Sequence, residues 1–389
     1  MMERTYPEDN GRHAPTGRSG SDGMVTLGLR LLKLAARCGP NWVRHHVLPY
    51  RAEYDLRRHG PLYCGLYVTF RCNLACPWCV NPPLPAGLGL DDFEATPEAV
   101  ARLLDHPLFR TVAHINLTGG EPLLNKNLME IIRLIRRRGF LPGMVTNGTL
   151  LETRVADLRA AGIADVRVSM YGNTLDRLAD ILPKLRGKLP IATSYIVLGT
   201  EMRERPEAIE KAVRIAAESG SVGMRLNFYM PAGQCGDAEL VYEDEPALAD
   251  LKARIADRFP DFPIYWRPTV RRAISGSRDK TCRQPWENFH VDARGNLGLC
   301  CRYCFPSPRN GNLFETPLPE LLNQPGLAKM RAGILDPGPL VPPECANCLY
   351  LSGGKAAPKV MQSPLPTLIR KKLATKPPTA AADNKSGAA

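Results

Sequence analysis

The chain has 389 residues, 44% of them hydrophobic, which is enough for one large domain and a smaller one with a buried core. Its formal charge of +12 is concentrated at the ends: residues 1–60 carry 10 Lys and Arg against 6 Asp and Glu, residues 355–389 carry 7 against 1, and residues 61–354 carry 34 against 32. A nucleic-acid groove would load its cations onto the folded part, so this distribution argues against one, and no apolar run reaches the ~18 residues of a membrane span.

In chain order, residues 1–23 are polar and Gly-rich and are expected to form a disordered leader without the layout of a secretory signal, which places the protein in the cytoplasm. Residues 24–60 mix Leu27, Leu31 and Leu34 with Arg30, Lys33 and Arg37, the pattern of a basic helical segment broken near Gly39-Pro40. Such a helix packs on the main domain or lies on an anionic membrane surface. Over 61–237 short apolar strands alternate with charged helical stretches, the order that gives a parallel sheet with covering helices. The strands expected are Leu62–Phe70, Val112–Leu117, Leu141–Thr146, Asp165–Met170, Ile191–Leu198 and Met224–Tyr229. Between them fall helices at Pro97–Leu104, Asn127–Arg138, Leu151–Ala161, Thr174–Leu185 and Arg205–Ser219. The fold class is therefore α/β, a partial (β/α)6 TIM-like barrel, whose chemistry would sit at the C-terminal ends of the strands. Residues 238–281 form a helical connector, 282–354 a small cysteine-rich domain with a hairpin and a helix-like stretch at Leu318–Ala332, and 355–389 a disordered basic tail.

Twelve cysteines in short clustered spacings point to metal or iron–sulfur ligation rather than disulfides. Cys72, Cys76 and Cys79 share one loop directly after the first strand. A [4Fe–4S] cluster takes four thiolates, so three leave one iron open to a ligand. A structural zinc site would want a fourth protein ligand, and the loop holds no His. This CxxxCxxC loop resembles the signature of the radical S-adenosylmethionine (SAM) superfamily. The resemblance implies that SAM chelates the open iron and is cleaved to a 5′-deoxyadenosyl radical.

Further matches fall where the barrel would put them. Gly119-Gly120-Glu121-Pro122 ends the second strand and resembles the motif that receives the SAM amino group; paired glycines let backbone approach a ligand closely. Family analogy aims Asn147 and Ser169, at the ends of the third and fourth strands, at the SAM carboxylate or ribose. Trp78 occupies the position that contacts adenine in the family, or is a core aromatic under the loop.

In the C-terminal segment, Cys282 precedes an expected hairpin of Asn288–Asp292 and Leu297–Cys300, and Cys345-Ala346-Asn347-Cys348 follows. Cys282, Cys300, Cys345 and Cys348 resemble the ligand set of a twitch or SPASM extension, which implies one auxiliary [4Fe–4S] cluster. A four-cysteine zinc knuckle would use the same ligands. Cys301 and Cys304 stand beside this set as spare thiols, cluster ligands or hydrogen-atom donors. In dehydrogenase members an acidic residue can occupy the place of Cys301.

The resemblance implies an enzyme that abstracts hydrogen from a substrate carbon, leading to oxidation, epimerisation or rearrangement. It also implies an electron donor such as flavodoxin or ferredoxin. The substrate is a ribosomal peptide or a small molecule, and the roughly sixty residues before the cysteine loop are too short and helical for a peptide-binding winged helix, favouring the latter or a substrate presented by another protein. The competing class is a non-catalytic zinc or iron–sulfur module that docks on acidic partners.

Overall fold

The structure, a computed structural model, describes residues 53–54, 60–79, 81, 84, 87–229, 235–267, 269, 284–298, 300 and 307–335. The expected leader, most of the basic helical segment, the tail, and Cys282, Cys301, Cys304, Cys345 and Cys348 lie outside the described residues.

Six parallel strands follow the apolar runs of the sequence: β1 Tyr63–Thr69, β2 His114–Gly119, β3 Leu141–Thr146, β4 Asp165–Met170, β5 Ile191–Val197 and β6 Met224–Phe228. The intervening helices are α1 Pro97–Asp105, α2 Leu128–Arg137, α3 Leu151–Ala161, α4 Leu175–Lys184, the short α5 Gly199–Glu204, and α6 Pro206–Glu218. Their ends follow local chemistry. Thr96 caps α1 by accepting a bond from the Ala99 amide at 3.2 Å, with Pro97 in the first turn, and Gly162 closes α3 in the left-handed region at φ 83°.

Side chains alternate along each strand. On β4, Val166, Val168 and Met170 are buried among helix residues such as Leu158 and Leu178, while Arg167 and Ser169 face the other way and are partly exposed. The helices thus cover one face, and the opposite, inner face is left to polar residues.

The connector contains the expected helix, α7 Pro246–Arg258, and also a seventh parallel strand, β7 Ile264–Trp266, paired with β6. After a single turn, α8 Gln284–Glu287, the hairpin strands β8 Asn288–Asp292 and β9 Asn296–Gly298 form, followed by β10 Ser307–Asn312. Asp292, fully buried, accepts bonds from the Arg294 and Asn296 amides at 2.9 and 3.0 Å and so fixes the hairpin turn. The expected helix at Leu318–Ala332 is two helices, α9 Leu318–Leu322 and α10 Pro325–Leu335, because Pro325 starts a new first turn.

The C-terminal strands do not stand apart. β8 pairs in parallel with β1, so one open sheet runs β10-β9-β8-β1-β2-β3-β4-β5-β6-β7. Phe289 and Val291 enter the same apolar core as the barrel residues, and the Phe289 ring meets Phe109 edge-on at 5.3 Å. Among the described residues no helix is long and apolar enough to cross a membrane.

Candidate active site

The cysteine loop leaves the C-terminal end of β1, an interior strand. Its first residues are held from below: Thr69 Oγ1 donates to Glu94, Arg71 pairs with Asp91 at 2.5 Å and with Glu94 at 3.3 Å, and Asn125 Nδ2 donates to the Val68 carbonyl at 2.7 Å. Past that anchor, Cys72 and Cys79 are exposed and Cys76 is partly buried, with a turn closed by the Cys79 amide on the Cys76 carbonyl at 3.0 Å. Burial raises the Cys72 thiol above its ordinary value and takes Cys76 to about 11, and the neighbouring thiols push Cys76 in the same direction. Three thiolates here repel one another, a cost that bound cations offset.

Gly119, Gly120 and Glu121 lie against this loop. The Gly120 amide donates to the Thr69 carbonyl at 2.8 Å and the Glu121 amide to the Arg71 carbonyl at 2.7 Å, continuing the β1–β2 ladder into the loop. Gly119 adopts φ 132°, and a Cβ on Gly119 or Gly120 would stand 2.0 Å from the Thr69 oxygen or 2.1 Å from the Arg71 oxygen. Both glycines are thus demanded by the approach of the chain's own backbone. Sequence reasoning attributed them to a ligand alone. Asn81 Nδ2 adds a bond to the Gly119 carbonyl at 2.9 Å.

The carboxylate of Glu121 is fully buried and turned to the end of β3. It accepts from Thr146 Oγ1 at 2.7 Å, the Asn147 amide at 2.8 Å and the Leu123 amide at 3.1 Å. Burial raises its pKa, and these three bonds oppose the rise. Asn147 in turn reaches across to the cysteine loop. Its Nδ2 donates to Asn73 Oδ1 at 2.8 Å, its Oδ1 accepts from the Thr149 amide and hydroxyl at 3.0 and 2.7 Å, and Asn73 Nδ2 donates to Thr149 Oγ1 at 2.9 Å. The amide of Asn147, expected to face SAM, is engaged in clasping the loop.

Trp78 is partly buried and packs on Tyr171, ring centroids 5.6 Å apart. Its indole Nε1 is buried without a hydrogen-bond partner. Tyr171 follows β4 and brings Ser169 into the group. Burial raises the phenol well above its ordinary value, a hydrogen bond with Ser169 opposes this, and the three thiols stand close enough to add to the rise. The structure therefore gathers Cys72, Cys76, Cys79, Trp78, Gly119, Gly120, Glu121, Pro122, Asn147 and Ser169 at one end of the sheet. Asn73, Asn81, Thr149 and Tyr171 also belong there. Asn73 and Asn81 had a signal, their position within and directly beyond the cysteine spacing; Tyr171 carried none.

Of the second cysteine set, Cys300 is described and is buried at the end of the hairpin. Among the described residues no group of three or more His, Cys, Asp or Glu side chains is arranged to hold a single metal ion. A cubane takes one thiolate per iron, so its ligands need not converge on a point. Three thiols spread over one loop, beside an unpartnered indole N–H, are a donor set that fits a cluster with an open iron.

Comparison with known proteins bears on this end of the sheet. A family model described as the radical SAM superfamily matches residues 66–231, and one described as an iron–sulfur cluster-binding domain (SPASM) matches residues 282–349. The GTP 3′,8-cyclase of Parasynechococcus marenigrum is 33% identical over 290 residues, covering 65% of this chain and 77% of that protein. The chain belongs to the radical SAM superfamily. Radical SAM proteins with a SPASM domain carry a SAM-binding [4Fe–4S] cluster, SAM and auxiliary clusters. A PqqA peptide cyclase of Rhodopseudomonas palustris is 28% identical over 291 residues, 64% of this chain and 71% of that protein. Against the PqqA peptide cyclase of Ruegeria pomeroyi the identity is 29%, and the alignment spans 46% of that protein and 42% of this chain, less than half of each. The radical SAM fold is also evident in Streptococcus suis SuiB bound to its precursor peptide SuiA, with a TM-score of 0.56 at 14% identity, covering 92% of this chain and 82% of that one.

Proposed function

We propose that this chain is a radical SAM enzyme that removes a hydrogen atom from a carbon of a peptide substrate. Cys72, Cys76 and Cys79 would hold the SAM-binding cluster, and Cys282, Cys300, Cys345 and Cys348 one auxiliary [4Fe–4S] cluster. Cys301 and Cys304 are candidate hydrogen-atom donors to a substrate radical. The observation that carries this reading is the three-thiol loop on an interior strand, laced to the Gly119–Glu121 ladder and clasped by Asn147. Given an electron from a flavodoxin- or ferredoxin-type donor, the SAM-binding cluster would supply reductive cleavage of bound SAM to methionine and a 5′-deoxyadenosyl radical able to take the hydrogen atom and be released as 5′-deoxyadenosine.

The chain's own residues do the rest. The Gly120 and Glu121 amides, tied to Thr69 and Arg71, fix the height of the loop above the sheet. Trp78 and Tyr171 wall the loop on the β4 side, leaving the Trp78 indole N–H to donate to a bound group. Ser169 adds a hydroxyl at the same rim. Holding reactants in such a frame is where a protein contributes to cofactor chemistry.

A peptide is favoured because the SPASM match is joined by likeness to PqqA peptide cyclases over most of one such relative. The GTP 3′,8-cyclase relative, 33% identical, favours a second reading with a small-molecule substrate. Oxidation, with the auxiliary cluster accepting the substrate electron, is the reaction type proposed, in the cytoplasm; return of a hydrogen atom from Cys301 or Cys304 would instead give epimerisation.

Anaerobic reconstitution with iron and sulfide tests the core claim. The expected outcome is iron–sulfur absorbance, and 5′-deoxyadenosine on addition of dithionite and SAM; Cys76→Ala should abolish the 5′-deoxyadenosine and leave only the share of the absorbance that belongs to the auxiliary cluster. A reconstituted chain that shows neither would leave the binding-module class standing instead.

A further inference from the structure

The inner face of the sheet carries polar chemistry that the cysteine loop does not use. At its floor, Tyr63, His114 and Asp165 are each the first residue of a strand. Tyr63 pairs with His114 in register, the two rings stack at 5.5 Å, and His114 Nε2 meets the Asp165 carboxylate at 2.9 Å. One step up β4 and β6 stand Arg167 and Arg225. Arg167 is in register with Ala192 and Arg225 with Ser194, so the two flank β5 two strand spacings apart and offset by two residues along it, their bases about 12 Å from each other. Both are partly exposed between buried neighbours, Val166 and Val168 on one strand and Met224 and Leu226 on the other. Both arginines and Asp165 lie close enough to Tyr63 to act electrostatically on its phenol.

Among the described residues the Asp165 carboxylate is engaged by His114, and the Arg167 guanidinium makes no hydrogen bond or ion pair. His290, on β8 next to β1, adds no charge at neutral pH, since burial holds its imidazole down to about 4. An inner face with two guanidinium groups, one of them without a partner, is poised for a planar anion held by forked hydrogen bonds.

We propose that Arg167 and Arg225 form an anion subsite on the inner face of the sheet, which grips a carboxylate or phosphate of the substrate below the cysteine loop. The subsite deepens the function proposed above and rests on the substrate entering this face. Binding energy gained at a point remote from the reacting carbon would hold that carbon toward the loop. The Tyr63 hydroxyl offers a further hydrogen bond to the same anion.

The experiment is protection from arginine modification on the anaerobically reconstituted full chain. Phenylglyoxal labelling of Arg167 and Arg225 is read by peptide mass spectrometry, alone or with one of three probes: a capped Gly-Glu-Gly peptide, its Gly-Gln-Gly counterpart, or inorganic pyrophosphate. The subsite predicts at least fivefold slower labelling of both arginines with the Glu peptide or with pyrophosphate, and none with the Gln peptide. Which of the two anions protects identifies a carboxylate or a phosphate source. Exposed Arg133 on α2 is the internal control and should label at the same rate throughout. Titration calorimetry with the protecting probe should show about tenfold weaker binding for Arg167→Gln and for Arg225→Gln. Unchanged labelling with every probe, equal protection by the Gln peptide, or wild-type affinity in both variants would overturn the subsite. SAM cleavage is assayed on the same preparation of the unsubstituted chain. Protection without cleavage sinks the radical SAM reading alone, and cleavage without protection sinks the subsite alone.

Discussion

Gly120 shows how a single residue joins the two halves of the site. Its amide bonds to Thr69, and the atoms that a side chain would meet are backbone, the Arg71 oxygen at 2.1 Å and its carbon at 2.6 Å, which cannot swing aside. Gly120→Ala is therefore expected to push the second strand's end off the cysteine loop. Overpacking of this kind costs about 1–3 kcal/mol. The expected outcome is a lower denaturant midpoint together with a drop of tenfold or more in 5′-deoxyadenosine formation; wild-type values for both would contradict the ladder. At this scale the sequence was informative about identity and less so about role. Glu121 and Asn147 stood out by their motifs, yet their acceptors and donors are spent on Thr146 of another strand and Asn73 of the cysteine loop, which leave no mark in local spacing, and on Thr149 two residues beyond Asn147. Arg167 and Arg225 could have been noticed, since a charged residue alternating with buried Val and Leu on a strand has to face somewhere polar.

The six long strands were legible because each is an apolar run bounded by turn chemistry, and they form within two residues of the expected ends. β7 escaped because three residues after Pro263 carry too short a pattern to read, and α9 and α10 merged because an apolar period runs through Pro325. Those last helices depend on one buried side chain. Arg331 on α10 donates to the Leu322 carbonyl at 2.5 Å and to the Pro285 carbonyl at 3.0 Å, and its guanidinium lies 4.5 Å from the Tyr54 ring centroid. Burial lowers its pKa to about 10, so it stays charged at neutral pH. Arg331→Met keeps the packing but leaves two helix-end carbonyls without a donor, a loss of about 1–3 kcal/mol for each buried group. Chemical denaturation should show a clearly lower midpoint with an unchanged m-value. An unaltered midpoint would mean that the carbonyls find other donors.

At the level of the molecule, the barrel and the C-terminal hairpin share one sheet and one core, a join that sequence pattern could not reveal because strand pairing between distant segments has no local signature. His290 sits at this join, packed over Gly65 of β1 with its ring 6.2 Å from Tyr67. Its pKa is held at about 4, below the ordinary 6.5, because burial disfavours the imidazolium. As pH falls the unfolded chain takes up this proton first, so the contribution of His290 to stability is complete above pH 6.5 and is lost progressively toward pH 4. His290→Gln removes the titrating group. Thermal melts should fall less steeply between pH 6.5 and 4 in the variant than in the wild type. Parallel slopes would show that His290 stays solvated or finds a proton acceptor.

The join also sets an order of assembly. Tyr63 and Asn288, paired in the sheet, are separated by 225 residues. During synthesis β1 emerges early, finds β2 within some fifty residues, and then keeps a bare edge of amides and carbonyls until β8 leaves the ribosome. The thiols at the tip of that strand emerge with it. A nascent chain of this kind has an aggregation-prone edge next to its most oxidisable residues, and closing the sheet seals the edge while the thiols stay open to a cluster.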